Sequence, residues 1–322
     1  MDEMKIFIGI DLGGTNVRVG AVTPDGGLVA SEEGLIEARQ GPEAGVERIA
    51  SLITRVTNEA GARLQAIGIG STGPVDRALG AIQNPYTLPT WENVNIVGML
   101  RERFQVPVTI ENDADAAALG ESWMGAGRGL PRLVMVTVGT GVGTAFIQDG
   151  RIYRGMDGLH PEGGHMILDP SGPECYCGAK GCWESMASGT AIGAYARSQA
   201  ASHPTLMTEL AGGDVQRINA VIAAQAARRG DPLAAEIIDR AADYIGLGLV
   251  NLIALFLPGC MVLTGGVMRS FDLMEARIRA VIGRHNVMAP ADRVALRLAS
   301  LGQQAGMIGA ARAAMLYIEE ES

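Results

Sequence analysis

Aromatic residues make up only 4% of the 322-residue chain, and cysteine occurs four times. With so few rings, the core must be built from Ala, Val, Ile and Leu. Set beside 44 glycines, that is the texture of α/β proteins with many tight strand-to-helix turns. Cations are scarce too: 26 Lys and Arg stand against 35 Asp and Glu, a formal charge of -9 at pH 7, and no basic cluster offsets it. Such a field repels phosphate backbones, so no nucleic-acid partner is expected. A basic-then-apolar leader is also lacking. Met1-Asp2-Glu3-Met4-Lys5 runs straight into a strand pattern, and the expected compartment is the cytoplasm. No membrane association is expected, because the apolar stretch 245–263 is cut by Asn251 and Pro258-Gly259 into a helical piece and a strand-like piece. This length suits two lobes of ordinary domain size.

What is present is organised around strand ends. Lys5 to Ile10 is an apolar run ending in Asp11-Leu12-Gly13-Gly14-Thr15-Asn16, and a second run, Val17 to Val22, follows: a strand, a glycine turn and a returning strand. A helical period over 45–60 leads into the buried strand pattern Ala66-Ile67-Gly68-Ile69-Gly70, then Ser71-Thr72-Gly73-Pro74. The run 106–110 delivers Glu111-Asn112-Asp113 at its end, ahead of an alanine-rich helix starting near Ala114. Polar groups at the carboxyl ends of strands are where open α/β sheets hold ligands. The scheme then repeats, with a strand over 133–138, the turn Gly139-Thr140-Gly141-Val142-Gly143, and a returning strand over 145–147. A duplicated hairpin with a glycine-rich tip predicts two related lobes. Residues 200–241 read as alanine-rich amphipathic helices, and Met261-Val262-Leu263 ends in a third glycine turn, Thr264-Gly265-Gly266.

Turns without Cβ bulk bring backbone N–H groups close to phosphate oxygens. Singly, each is more often a plain turn, and none matches the Walker or strand-to-helix dinucleotide pattern. As a set they point to a nucleotide contacted by Gly13, Gly14, Thr15, Asn16, Gly139, Thr140, Gly141, Gly265 and Gly266, with Asp11 holding Mg2+ through water. Asp113, taken alone, reads as an N-cap for the following helix. Beside two phosphate turns it becomes the candidate general base for a hydroxyl attacking a γ-phosphoryl group. Cys175, Cys177 and Cys182 fall within eight residues, and His165 stands just upstream, so four donors are available for one tetrahedral ion, expected to be Zn2+. A reduced thiol cluster with redox chemistry is the other reading, but the spacing differs from C-x-x-C. Four protein ligands leave no open position, which makes the zinc structural and Mg2+, carried in with nucleotide, the catalytic metal. Glu162 and Glu184 flank the ligands. Cys260 stands apart in an apolar run and is assigned no chemistry.

Asp11-Leu12-Gly13-Gly14-Thr15-Asn16, Glu111-Asn112-Asp113, Gly139-Thr140-Gly141-Val142-Gly143, Glu162-Gly163-Gly164-His165, the stretch from Cys175 to Glu184 and the closing Ala305-Gly306-Met307-Ile308-Gly309-Ala310-Ala311 together resemble the ROK family (repressor, open reading frame, kinase). The match spans nearly the whole chain, and the cysteine motif is its most specific part. This resemblance implies an α/β, two-lobed actin-like ATPase (ribonuclease-H-like) fold with a structural zinc loop. The smaller lobe is expected from residues 1–115 plus 306–322 and the larger from 116–305. It implies ATP-dependent phosphorylation of a hexose, usually by a homodimer or homotetramer. The intact cysteine motif followed by Glu184 is most similar to bacterial glucokinases, which points to glucose and its 6-hydroxyl. Carried over by position, Asp113 is the base. Asn112, Glu162, His165 and Glu184 bind the other hydroxyls, His165 reaching zinc through its second ring nitrogen, and Gly73 lines the sugar pocket. Two departures stand out. His160-Pro161 replaces a common Ala-Gly, as in some fructokinase-like relatives, and Thr264 replaces the first of three glycines near the adenosine. N-acetylmannosamine, N-acetylglucosamine, fructose and mannose are the alternative acceptors. A sugar-responsive ROK transcriptional repressor is the rival of another class; repressors of this type carry a helix-turn-helix domain before the first strand, where ten residues precede Asp11 here.

Overall fold

In the computed structural model, which describes residues 4–84, 87–285 and 289–321, the apolar run after Met4 forms strand β1 (Lys5–Leu12) and returns as β2 (Asn16–Val22). There follow β3 (Leu28–Leu35), α1 (Pro42–Ala60), β4 (Arg63–Ser71), the short hairpin β5 (Val75–Asp76) and β6 (Ala81–Ile82), α2 (Ile96–Phe104), β7 (Val108–Asn112) and α3 (Asp113–Trp123). These strands make a five-stranded sheet in the order β3-β2-β1-β4-β7, with β5 and β6 apart from it. The second series is β8 (Arg132–Val138), β9 (Val142–Gln148), β10 (Arg151–Ile152), α4 (Trp183–Ala187), α5 (Gly189–Ala200), α6 (Leu206–Leu210), α7 (Ala220–Arg228), α8 (Pro232–Phe256), β11 (Cys260–Thr264), α9 (Phe271–Arg284), β12 (Ala295–Leu298) and α10 (Ala305–Glu321). Its sheet runs β10-β9-β8-β11-β12. Taken in chain order, the two sheets have the same arrangement, third-second-first-fourth-fifth, so the repeated glycine hairpin is the visible part of a whole duplicated sheet.

Alternation along β1 explains why that strand is apolar on both faces. Ile6, Ile8 and Ile10 point into one core with Ile49 and Ile53 of α1, while Phe7 packs with Ile308, Ala311 and Met315 of α10 on the opposite face. Each fully buried isoleucine contributes about 1.5–3 kcal/mol. On the α10 side, β1 and β4 carry Gly9 and Gly68, whose missing side chains let the helix backbone rest on the sheet. A Cβ at either would run into the carbonyl oxygen of Met307 or Ala310. Gly309 meets the Ala116 carbonyl of α3 in the same way.

Register places the strand ends side by side. Leu12 pairs with Ser71 in the parallel β1–β4 ladder, and Ser71 pairs with Asn112 in the parallel β4–β7 ladder. The segments Asp11–Gly14, Thr72–Pro74 and Asn112–Asp113 therefore leave one edge of one sheet.

Contacts group the chain into a first unit ending at Leu133 and resuming over Ala145–His160 and from Ala299, and a second unit of Val134–Thr144 and Pro161–Leu298. The division differs from the lobes expected at 1–115 plus 306–322 and 116–305. Helix α3 and the start of α10 stay with the first unit because they pack backbone to backbone through Gly120 and Gly309. Where the sequence suggested a split apolar stretch, α8 ends at Phe256 and β11 begins at Cys260. No helix among the described residues is long and apolar enough to cross a membrane.

Candidate active site

In the first unit, the β1–β2 turn is closed by the Gly13 N–H donating to the Asn16 carbonyl at 3.0 Å. Asp11 and Arg18 are opposite each other across this hairpin, and Arg18 is opposite Glu33 in the β2–β3 ladder. The guanidinium consequently bridges both carboxylates, at 3.2 Å to Asp11 and 3.0 Å to Glu33. Burial pushes the Asp11 carboxyl up, and the Arg18 hydrogen bond holds it down in part. The Asn16 amide donates to Glu33 at 2.8 Å, so its side chain is turned along the sheet. Thr15 is exposed at the tip, and a Cβ on Gly14 would strike the Thr87 carbonyl.

At the end of β7, Asn112 is the N-cap of α3 and accepts from the Ala114 N–H at 2.8 Å. Capping thus falls to Asn112, and Asp113 is the first helical residue. Its Oδ1 accepts from the same N–H at 2.8 Å. Burial raises the Asp113 carboxyl to about 6; the Ala114 N–H and His160 lower it, and Asp11 and Asp115 raise it. Gly73 lies against the Asn112 amide and leaves no room there for a Cβ. Two buried carboxylates bracket this pair. Glu111 Oε1 is held by Arg154 at 2.8 Å and Arg77 at 3.0 Å, and Asp115 meets His160 Nδ1 at 3.0 Å. Arg18, Arg77, Arg154 and Asp115 were not singled out from the sequence, and His160 was noted only as a departure from the family pattern, not as a partner of Asp115. Only Arg18 had a readable signal, since it mirrors Asp11 about the glycine turn.

In the second unit, the β8–β9 turn is closed by the Gly139 N–H donating to the Gly141 carbonyl at 2.9 Å. The Gly139 carbonyl accepts from Gly189 at the start of α5 at 2.7 Å. Gly139, Thr140 and Gly266 line a cavity of about 710 Å3, walled by Ile192, Val221 and Met274. Cavities of this size take small-molecule ligands. Gly141 and Gly265 do other work. Gly141 makes room for the Glu184 carboxylate, which accepts from the Val142 N–H at 2.8 Å. Gly265, at φ +98, lies against the Val138 backbone.

Glu162-Gly163-Gly164-His165 is clamped onto β9: the Gly163 N–H donates to Thr144 Oγ1 at 3.0 Å, and that hydroxyl donates to the Pro161 carbonyl at 3.2 Å. Beyond it, the donor atoms of His165, Cys175, Cys177 and Cys182 all lie within 4.8 Å of one another. His165 Nδ1 is 3.5 Å from Cys175 Sγ, and Cys177 Sγ is 3.6 Å from Cys182 Sγ. Zinc–sulfur and zinc–nitrogen bonds of about 2.3 and 2.0 Å give tetrahedral edges of roughly 3.5–3.8 Å, so donor types and spacing fit Zn2+. Burial, then the neighbouring thiols, push Cys182 up to about 12. Three thiolates so close need a cation to ionise together. Trp183, fully buried over Gly248 of α8, anchors the end of this loop and with it Glu184.

Two sheets of one strand order, each with a glycine hairpin between its first two strands, define an actin-like ATPase fold, here with a loop that gathers four side chains able to ligate a metal. Within that class, the chain belongs to the ROK family, whose model matches residues 7–316. It is 35% identical to a glucokinase of Thermotoga maritima over 314 residues, 97% of each chain. It is similar to the crystal structure of a ROK hexokinase from Thermus thermophilus, with TM-score 0.87 and 34% identity, covering 98% of this chain and 99% of that one. A ROK glucokinase from Streptomyces griseus in complex with glucose and AMPPNP is similar with TM-score 0.75 and 32% identity, covering 97% and 99%.

Proposed function

We propose that the protein is an ATP-dependent glucokinase that transfers the γ-phosphoryl group of ATP to the 6-hydroxyl of glucose. The observation that carries the reading is Asp113, a carboxylate at a strand end beside a phosphate-type turn, with its proton affinity raised to about 6. Such a group is ionised at neutral pH yet basic enough to accept a proton as a hydroxyl attacks. In this reading the N–H groups of Gly13, Gly14, Thr15, Gly139, Thr140 and Gly266 hold the nucleotide phosphates. Asp11 holds Mg2+ through water, and the cation neutralises charge on the transferring group. Asn112, Glu162, His165 and Glu184 take the remaining sugar hydroxyls, with Gly73 beside Asn112. Zinc on His165, Cys175, Cys177 and Cys182 keeps Glu162 and Glu184 in place and takes no part in the chemistry.

The supporting relatives are named glucokinase and hexokinase, and the second unit offers a cavity of nucleotide size bordered by Gly139, Thr140 and Gly266. A coupled ADP-release assay over glucose, mannose, fructose, N-acetylmannosamine and N-acetylglucosamine tests it. The expected result is the highest kcat/KM on glucose. Preference for another hexose would overturn the acceptor and leave the kinase; no hexose-dependent ADP release would overturn both.

A further inference from the structure

Tyr176 lies between two of the metal-loop ligands, Cys175 and Cys177, and is 84% exposed. A tyrosine so open to water has no packing reason to point anywhere in particular. Even so, its ring stands edge-on to the His165 imidazole, with centroids 5.2 Å apart and planes at 83°. Its hydroxyl is 3.2 Å from His165 Nε2. That is the nitrogen left over when Nδ1 faces the Cys175 sulfur at 3.5 Å. The phenolic hydroxyl therefore meets the His165 ring nitrogen that the proposed function gives to a hydroxyl of the sugar.

Like a sugar hydroxyl, a phenol is at once donor and acceptor, so the two are chemically equivalent on this partner. They cannot share it. His165 is held by the sulfur on its other nitrogen, so it cannot follow the tyrosine away. The tyrosine can leave, because its ring is mostly in water and only its backbone is fixed by the flanking ligands. We propose that Tyr176 is a specificity-determining residue of the sugar site, an internal stand-in whose hydroxyl sits where a hexose hydroxyl binds and must be displaced by it. This rests on reading the site as a hexose site. An internal competitor lowers apparent affinity by the fraction of time it is seated. It also sharpens selection, because an analogue without the matching hydroxyl displaces Tyr176 and leaves the His165 nitrogen unpaired.

Tyr176→Phe removes the hydroxyl and keeps the ring. Calorimetric titration of glucose into the zinc-loaded wild type and variant, with zinc content measured in both, should show the variant binding about 2- to 10-fold tighter at equal zinc. In the wild type, nitration of Tyr176 by tetranitromethane, followed by peptide mapping, should speed up with saturating glucose as the phenol is released. Equal or weaker glucose binding by Tyr176→Phe, or glucose protecting Tyr176 from nitration, would overturn the proposal while leaving the kinase assignment standing. A wild type that binds neither glucose nor any of the other four hexoses would overturn the sugar-site reading and this proposal with it.

Discussion

Asp113 keeps its proton up to a pH of about 6 because burial outweighs the Ala114 N–H and the His160 charge that favour its ionised form. A base must be deprotonated, so kcat/KM should rise with pH between 5 and 7 along a limb of apparent pKa near 6 and then level off. A flat profile across that range, measured with glucose limiting, would contradict the assignment of Asp113 as base. Arg18 belongs to the same scale. Its guanidinium is the direct partner of Asp11, so Arg18→Met leaves a half-buried carboxylate without its cation. The expected loss is about 1–3 kcal/mol in urea denaturation, with weaker Mg-ATP binding by calorimetry. The Asp11–Arg18 half of this bridge is legible from the symmetry of the glycine turn. Glu33 is not, because it enters through the β2–β3 register, which no local signal in the sequence sets. The same holds for Glu111: its motif was visible, but Arg77 and Arg154, which neutralise it, come from other elements of the fold.

Among elements, the metal loop and α10 make the sharpest predictions. Cys177→Ser removes one of four donors, and elemental analysis should show zinc lost. Without the ion the loop no longer fixes Glu162 and Glu184, and glucose affinity should fall by about 10- to 100-fold. Nucleotide affinity should change less, since Gly139, Thr140 and Gly266 lie on other segments. A variant that loses nucleotide and keeps glucose would reverse that partition. Helix α10 explains the closing Ala305–Ala311 motif in packing rather than chemistry. Gly306 faces the Asp11 carboxyl and Gly309 faces the α3 backbone, and neither leaves space for a methyl group. Gly309→Ala should cost about 1–3 kcal/mol or more, read as a lower urea midpoint with unchanged slope. These glycines were readable as a motif; their purpose required seeing which backbone lay opposite.

At the scale of the whole molecule, the duplication was legible because a strand, a glycine turn and a returning strand occur twice with the same texture. The complete sheets were not. β3, β10 and β12 are edge strands, and β10 has only two residues, so none carries the continuous apolar run that marks β1, β4 or β11. The division of the chain was likewise set by tertiary packing, through the glycines between α3 and α10. Asp11, Asn112, Asp113 and the glycines proposed to hold phosphate nonetheless sit at strand ends or glycine turns, where sequence speaks most plainly. The most direct test of the account is a single-turnover measurement of glucose phosphorylation by Asp113→Asn beside a calorimetric titration of glucose. The account predicts phosphoryl transfer slowed by about 10²- to 10⁴-fold with glucose still bound. Transfer at the wild-type rate by that variant would contradict it.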